Sequence, residues 1–322
     1  MRVVLIGLGG TIAMTRTSSG VAPGLTARDL ADAIPGLPDL HAVHTFRSLP
    51  GASLTVEDIL DLSQALTGHF QDGATGAVVT QGTDTIEETA YVLSLLHPGD
   101  QPIVVTGAMR NPTVAGADGP ANLLAAVTVA AASPARGLGA LVVLADEIHA
   151  ASRVRKTHSM SPATFASPNG GPLGYLVEGQ VRLVNRPVSR PTVPFPARDR
   201  PLPRVGVHTA TLGDDGALLP LLADRLDGLV IAGFGVGHVP EPWVPHLEAA
   251  ATRIPVVLAS RTGAGFTATG TYGFAGSESD LLRRGLIPAG GLDPYKARLL
   301  LQLLLATTER DGVRAAFEAA AS

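Results

Sequence analysis

The chain has 322 residues, of which 45% are hydrophobic but only 4% aromatic, and a formal net charge of −4. The absence of cysteine excludes disulfides, thiol nucleophiles and cysteine-ligated metal centres. The acidic balance, without a long basic run, argues against a nucleic-acid partner. No apolar stretch reaches membrane-spanning length without glycine or charge, and a strand starts too early to leave room for a signal peptide. We therefore expect a cytoplasmic protein without a membrane partner, and its length predicts two domains.

The first 70 residues or so predict alternating strands and helices. Residues 3–6 are an apolar, β-branched run typical of a buried strand, and the glycines that follow permit a tight turn that places Thr11 just past the strand end. The Gly-x-Gly start lacks the last glycine of a dinucleotide fingerprint, so that match is weak. Residues 15–24, rich in threonine, serine and glycine, predict a mobile loop. The remaining predicted elements are a helix over 25–34 with Thr26 as its N-cap, a strand over 43–46 and a helix from about 55 to 67.

The stretch 77–96 combines a strand, a polar turn and a helix. Its apolar start predicts a strand buried on both faces, and the chain then breaks at Gly82. Thr85 and Glu88 have the spacing of a capping box, so we expect the helix to begin there. Thr83 and Asp84 therefore lie between a strand's carboxyl end and a helix's amino end, where open α/β sheets bind ligands. Helix capping is the alternative role for this turn.

The rest of the first half continues the same alternation. Strands are predicted over 102–106 and 139–144, a helix over 118–132 and a hairpin over 175–185. Between them, residues 146–174 form a long irregular segment that carries Lys156, and long loops in compact domains are often functional.

A proline-rich segment over 186–203 marks the clearest boundary in the sequence. Beyond it, strands are predicted over 205–209, 228–232 and 255–259, with helices over 218–225, 241–252 and, last, 294–308. The prediction is an α/β protein with a larger N-terminal domain on a mainly parallel sheet and a smaller C-terminal parallel α/β domain. We place the catalytic domain at 1–190, the linker at 191–203 and the second domain at 204–322.

The polar residues of the first domain suit acyl transfer from a small anionic amide. A threonine hydroxyl becomes a nucleophile when a base or relay activates it, and Thr11, Thr83, Asp84 and Lys156 could build such relays. A neutral lysine amine can accept a hydroxyl proton directly or through water. Backbone N–H groups at Gly10, Gly82 or Ala108 could stabilise an oxyanion, and the helix start near Thr85 would favour a substrate carboxylate.

The order of the motifs resembles that of the bacterial-type L-asparaginases, the asparaginase/glutaminase family. The resemblance covers nearly the whole chain, and in this order the motifs are highly specific. They are Gly9-Gly10-Thr11-Ile12-Ala13, the run 82–91 from Gly82 to Tyr91, Gly107-Ala108-Met109-Arg110, Ala117-Asp118-Gly119-Pro120, Thr164-Phe165, the run 171–175 and Lys296-Ala297-Arg298-Leu299-Leu300.

The resemblance implies hydrolysis of L-asparagine to L-aspartate and ammonia by a homodimer or homotetramer, without metal or organic cofactor. It makes Thr11 the nucleophile on a flexible lid and Thr83 the second catalytic threonine, in a relay with Lys156 and Asp84. It makes Gly82, Thr83, Asp84 and the backbone at Ala108 part of the substrate site. It also places Glu278, with the second domain, at a partner subunit's active site.

Three positions depart from the family pattern. The family's lid tyrosine has no counterpart in 20–23. The serine–glutamine pair that binds the substrate carboxylate in the family corresponds to Gly51 and Ala52, with Ser53 the nearest hydroxyl. The asparagine that the family's partner subunit contributes corresponds to His238. One hypothesis is that Tyr272, flanked by glycines just before Glu278, supplies the missing hydroxyl across the dimer interface. The alternative is that Tyr272 is an ordinary loop or interface aromatic.

Other functions remain open at this level. The altered carboxylate grip allows preference for L-glutamine or another small amide, and loss of the lid tyrosine allows a non-catalytic asparagine- or aspartate-binding protein. The larger relative that amidates glutamate on transfer RNA is disfavoured, because the chain has no extra amino-terminal domain and no basic run. No metal site is predicted, because no third ligand accompanies the pair His41 and His44.

Overall fold

The computed structural model describes residues 2–18 and 20–321, so Ser19, inside the predicted loop 15–24, lies outside the described residues. The chain divides into two compact units between Arg190 and Pro191. The division into a domain, a separate linker and a second domain stays a prediction. Within the described ranges, no helix combines the length and apolar character needed to cross a membrane.

The first unit is built on an eight-stranded sheet. Its strands and helices, in chain order, are β1 (Val3–Gly9), β2 (Met14–Thr17), β3 (Gly20–Pro23), α1 (Ala27–Asp32), β4 (Ala42–Leu49), α2 (Val56–Gln71), β5 (Gly76–Thr80), α3 (Ile86–Leu96), β6 (Ile103–Thr106), α4 (Gly119–Ala131), β7 (Ala140–Leu144), β8 (Glu147–Ala150), β9 (Arg155–Lys156), β10 (Phe165–Ala166), β11 (Gly174–Val177) and β12 (Gln180–Leu183).

The strand order in this sheet is β12-β11-β8-β7-β6-β5-β1-β4. The five strands from β7 to β4 run parallel, and β8, β11 and β12 extend one edge antiparallel. Every residue of β1, β5, β6 and β7 is buried, as expected where helices cover both faces of a parallel sheet. After β1 the chain builds β4 on one side and β5 on the other, so the crevice between the carboxyl ends of β1 and β5 is a topological switch point.

The second unit has a four-stranded parallel sheet in the order β13-β14-β15-β16. Its core surrounds the fully buried Trp243. Its elements are β13 (Val205–Thr209), α5 (Leu219–Arg225), β14 (Gly228–Gly233), α6 (Val244–Ala251), β15 (Val256–Ser260), α7 (Glu278–Arg283), β16 (Ile287–Pro288), α8 (Pro294–Thr307) and α9 (Val313–Ala321). The predicted fold class, with a larger and a smaller parallel α/β domain, is confirmed.

Several predicted elements need correction. Residues 14–17 and 20–23 pair as the antiparallel hairpin β2–β3, where no strands were predicted, and the predicted mobility of 15–24 stays a prediction. The segment 146–174 holds three short strands, β8, β9 and β10, because its residues pair with the sheet edge and with each other. The helix α8 is not the last element, since Val313 and Phe317 bury one face of the further helix α9. The short α7 was also missed, while Thr26 is the N-cap of α1 as predicted.

Candidate active site

Three glycines bring the candidate catalytic segments together at the switch point. A Cβ placed on Gly10 would lie 2.0 Å from the backbone nitrogen of Gly82, and Gly10 also has a positive φ of 82°. A Cβ on Gly51 would lie 3.0 Å from the Gly82 carbonyl oxygen. Only residues without side chains allow backbones to approach this closely. Thr11, directly after Gly10, and Thr83, directly after Gly82, therefore flank one backbone contact.

Lys156 joins the two polar residues of the turn that follows β5. Its Nζ donates a hydrogen bond to Thr83 Oγ1 at 2.9 Å and lies 3.2 Å from Asp84 Oδ1. Thr83 is buried, the Lys156 side chain is 18% exposed and the Asp84 side chain 59% exposed. The trio thus runs from the protein interior to solvent, with the amine between a hydroxyl and a carboxylate. This is an arrangement that can move a proton to or from the Thr83 hydroxyl.

The backbone of Lys156 is also held, by a residue that sequence reasoning missed. The buried Glu87, in the first turn of α3, accepts a hydrogen bond from Lys156 N at 2.9 Å. The sequence signal was its position four residues after Thr83, which places both residues close to the start of the same helix. The spacing of Thr85 and Glu88 directed the prediction to those two residues instead.

The predicted capping box at Thr85 was wrong. Thr85 is the N-cap residue of α3, but its side chain makes no cap hydrogen bond. Thr85 Oγ1 instead donates to the carbonyl oxygen of Gly51 at 3.1 Å and lies 3.3 Å from Gln81 Nε2, which donates to it. The hydroxyl therefore connects the start of α3 to the turn Gly51–Ser53, in which Gly51 is buried while Ala52 and Ser53 are exposed.

Ala108 lies at the carboxyl end of β6, the strand next to β5, and is fully buried. A Cβ on the preceding Gly107 would lie 3.4 Å from the Thr83 methyl carbon. The following backbone is fixed by Asp118, whose carboxylate accepts hydrogen bonds from Met109 N at 3.0 Å and Arg110 N at 2.8 Å. The segment 107–110 therefore lies beside Thr83 in a fixed conformation.

The second unit contains a separate cluster around Glu278. One carboxylate oxygen accepts hydrogen bonds from the backbone nitrogens of Thr271 and Tyr272, both at 2.8 Å, and the other lies 3.1 Å from His238 Nε2. Burial alone raises the pKa of this carboxyl, but the hydrogen bonds from Tyr272, Thr271 and His238 outweigh burial and hold the pKa below its ordinary value. The Tyr272 ring packs edge-on against His238, and the residue is 44% exposed overall.

The first unit thus brings together most of the residues predicted to act in catalysis. Lys156, Thr83 and Asp84 are in direct contact, although Lys156 lies 73 and 72 residues from them in sequence. Thr11 is connected to them through the Gly10–Gly82 contact, and Gly51 through its contact with Gly82. Tyr272 and Glu278 contact each other within the second unit.

Comparison with known proteins agrees with the geometry. A family model described as "Asparaginase, N-terminal" matches residues 2–189, and one described as "Glutaminase/Asparaginase C-terminal domain" matches residues 204–317. The chain is 38% identical to a "Probable L-asparaginase" of Deinococcus radiodurans, over 98% of this chain and 97% of the relative. It is 34% identical to an "L-asparaginase" of Bacillus licheniformis, over 98% of each.

A solved structure is similar over the same extent. A probable cytoplasmic L-asparaginase from Campylobacter jejuni superposes with a TM-score of 0.87 at 32% identity, covering 98% of both chains. The two family models together cover most of the sequence, and the relatives match from end to end. The chain belongs to the asparaginase family, which confirms the resemblance drawn from its motifs.

Proposed function

We propose that the chain is an amidohydrolase that converts L-asparagine and water to L-aspartate and ammonia, with Thr11 as the nucleophile. The observation that carries the proposal is the Lys156 amine, placed 2.9 Å from Thr83 Oγ1 and 3.2 Å from Asp84 Oδ1 at the switch point. Membership of the family and the names of the relatives support the choice of asparagine.

In the proposed reaction, the Thr11 oxygen attacks the carbon of the substrate's side-chain amide. The C–N bond breaks, the hydroxyl proton leaves with ammonia through the Thr83–Lys156–Asp84 relay, and an ester links Thr11 to the acyl group. Water then attacks the ester, releasing aspartate and restoring the hydroxyl. Attack by Thr83, with Thr11 in support, is chemically reasonable too, because both follow neighbouring strands at the same crevice.

The proposed substrate site uses the backbone around the three glycines. Gly82 or Ala108 would offer N–H groups to the oxyanion, and Asp84 would take the α-amino group. Gly51, Ala52 and Ser53 stand where the family's carboxylate-binding pair is expected, and only Ser53 carries a side-chain donor. This reduced grip supports L-glutamine or another small amide as the second candidate substrate, in keeping with the description of the C-terminal family.

The test is ammonia release by the purified protein from L-asparagine and, separately, from L-glutamine. We expect activity on asparagine, and loss of at least about 100-fold in Thr11→Ala, Thr83→Ala and Lys156→Met, since members of one catalytic unit fail together. Thr128→Ala is the matched control, because that threonine donates its hydroxyl hydrogen bond to the Leu124 carbonyl within its own helix α4. Tight aspartate binding without ammonia release from any amide would instead establish a binding protein.

Tyr272 is proposed as the missing lid hydroxyl, supplied across a homodimer or homotetramer. Glu278 holds its loop through the Tyr272 backbone nitrogen, which leaves the half-exposed ring available to a partner subunit. Tyr272→Phe should lower turnover by about 10-fold while light scattering shows an unchanged oligomer. Phe274→Leu is the control, because Phe274 packs on the same His238 without carrying a hydroxyl. Unchanged turnover in Tyr272→Phe would end this assignment.

We also propose a cytoplasmic location, following the description of the Campylobacter jejuni structure. Cell fractionation with an antibody to the chain tests it, and recovery in a periplasmic extract would contradict it.

A further inference from the structure

The strand that carries Lys156 is too short to hold its own position, and one contact that fixes it is the hydrogen bond from Lys156 N to Glu87 of α3. The hairpin β9–β10 consists of two residues on each side, with Lys156 opposite Phe165 and Arg155 opposite Ala166. An isolated two-stranded hairpin is at best marginally stable in water, even when it is longer than this. The position of the Lys156 amine against Thr83 therefore depends on how the hairpin is tied to the rest of the unit.

One hydrogen bond connects the main sheet to the end of β10, the second strand of the hairpin. Ser167, the residue directly after β10, has its Oγ 3.0 Å from Nδ1 of His149. His149 is fully buried in β8, where it pairs with Val142 of β7, and Ser167 is 7% exposed. The hydrogen bond thus connects the hairpin to the eight-stranded sheet in a place that water does not reach.

The histidine is neutral at neutral pH, so the tie does not depend on charge. Burial lowers the pKa of His149 to about 4. Glu147 Oε2 lies 3.3 Å from Nε2 and favours the charged ring, but this carboxylate is 40% exposed and burial is the larger effect. One ring nitrogen of neutral His149 donates and the other accepts, so the ring can bond to a hydroxyl that acts either as donor or as acceptor.

We propose that His149 is a positioning residue for the amide hydrolysis, which holds Lys156 against Thr83 by fixing β10 through Ser167. The proposal rests on the proposed function, because it requires Lys156 to act in the reaction. A buried imidazole–hydroxyl pair contributes little net stability compared with apolar side chains of similar volume, but it fixes one geometry. That geometry is transmitted to Lys156 through its pairing with Phe165.

The test compares His149→Leu, His149→Asn and Ser167→Ala in the full-length protein. Asparagine offers a polar atom near the place of Nδ1, whereas leucine of similar size does not. We expect kcat for asparagine to fall about 10-fold in His149→Leu and Ser167→Ala, with KM changed less than about twofold, and His149→Asn to recover most of kcat. The double variant His149→Leu with Ser167→Ala should be no worse than either single one, since both lose one bond.

A second readout does not depend on turnover. Lys156 and Lys296 are the two lysines in the sequence, and Lys296 is fully buried. Brief acetylation followed by mass spectrometry should therefore label Lys156 several-fold faster in His149→Leu and Ser167→Ala than in wild type. Labelling of Lys296 reports unfolding of the second unit and should not change, while urea unfolding followed by circular dichroism reports the stability of the first unit. Ser63→Ala, which removes another buried hydroxyl from α2, is the matched control for both readouts.

The outcomes separate the two proposals. Unchanged Lys156 labelling and unchanged kcat in both His149→Leu and Ser167→Ala would overturn the positioning role while leaving the reaction in place. Equal kcat losses in His149→Asn and His149→Leu, or loss of the folded circular-dichroism signal of the variants under the assay conditions, would show that His149 serves only overall stability and would overturn it too. If Lys156→Met retains full ammonia release, Lys156 has no role in the relay and the positioning proposal falls, while the amide hydrolysis itself stands.

Discussion

At the scale of single residues, the candidate site depends on three glycines, whose backbones can touch because these residues have no side chain. Gly10, Gly51 and Gly82 have no side chains, and their backbones meet where β1, β4 and β5 end. That contact sets how far Thr11 lies from Thr83 more directly than any side-chain interaction, because each threonine directly follows one of the touching glycines in the chain. The geometry of the two candidate catalytic threonines is therefore a property of glycine packing.

Gly10→Ala should be far more harmful than a glycine replacement at similar φ elsewhere. Its new Cβ would lie 2.0 Å from Gly82 N, so the ends of β1 and β5 must move apart. Gly137, with φ +76° and no atom within 4 Å of an added Cβ, is the matched control. We expect Gly137→Ala to cost about 1 kcal/mol from φ alone, and Gly10→Ala about 2–3 kcal/mol more, with kcat lost.

Urea unfolding and ammonia release measure this difference. Equal unfolding free energies in the two variants, with normal turnover in Gly10→Ala, would show that the glycine contact does not set the site.

At the scale of elements, α3 shows a motif used for a different purpose. The sequence Thr85-x-x-Glu88 predicts a capping box, and Thr55 forms such a box at the start of α2 with Asp58. At α3 the threonine hydroxyl instead bridges to Gly51, because the turn Gly51–Ser53 lies against the end of β5. A hydrogen-bond acceptor distant in sequence has replaced the backbone groups of the helix's own first turn as the partner of this hydroxyl.

Thr85→Val should therefore raise KM for asparagine by about fivefold with a small change in helix stability. Thr26, which caps α1 in a true capping box with Asp29, is the comparison. Thr26→Val should cost about 1 kcal/mol in unfolding free energy and leave KM within twofold. Thr85→Ser keeps the hydroxyl and should restore KM. The bridge would be discounted if Thr85→Val lowered stability like Thr26→Val and left KM unchanged.

The same elements show what the sequence could and could not predict. Buried strands such as β1 and β5 are readable because parallel strands covered on both faces are continuous apolar runs. Positions just past their ends were predicted to be functional because parallel strands end at one edge. The hairpin β2–β3 was missed, because its pairing is made by backbone groups and its threonines, glycine and proline are typical of a loop. The contact of Lys156 with Thr83 came from family resemblance, since no local pattern links residues 73 positions apart.

At the scale of the whole molecule, the two units should begin to lose stability at different pH values as the solution is acidified. In the first unit, burial is the largest of the effects that lower the pKa values of His69, His97 and His149. In the second, Glu278 has a lowered pKa because, despite burial, its hydrogen bonds favour the charged form. A lowered carboxyl pKa gives stability that is lost only as pH falls below about 4.5.

Among the three histidines of the first unit with lowered pKa values, His149 should cause the largest fall in the free energy of unfolding as the pH is lowered. Its pKa is about 4 when folded and 6.5 when unfolded, so between these values the unfolded chain binds more protons. The contribution of neutral His149 to the free energy of unfolding is therefore fully present above pH 6.5, and about 3 kcal/mol of it is lost as the pH is lowered to 4. Urea unfolding followed by circular dichroism at intervals across this range should give a shallower pH slope for His149→Leu than for wild type.

His69 and His97 contribute equally to both proteins, so the difference in slope belongs to His149. Trp243, the one tryptophan in the sequence, is buried in the second unit, and its fluorescence follows that unit separately. The tryptophan transition should show the same pH slope in both proteins, because His149 belongs to the first unit and the second unit is the same in both. Parallel circular-dichroism slopes for wild type and His149→Leu would mean that the ring is charged in the folded protein, or exposed to solvent there. The hydrogen bond to Ser167 would then lack the neutral, buried partner on which the positioning of Lys156 depends.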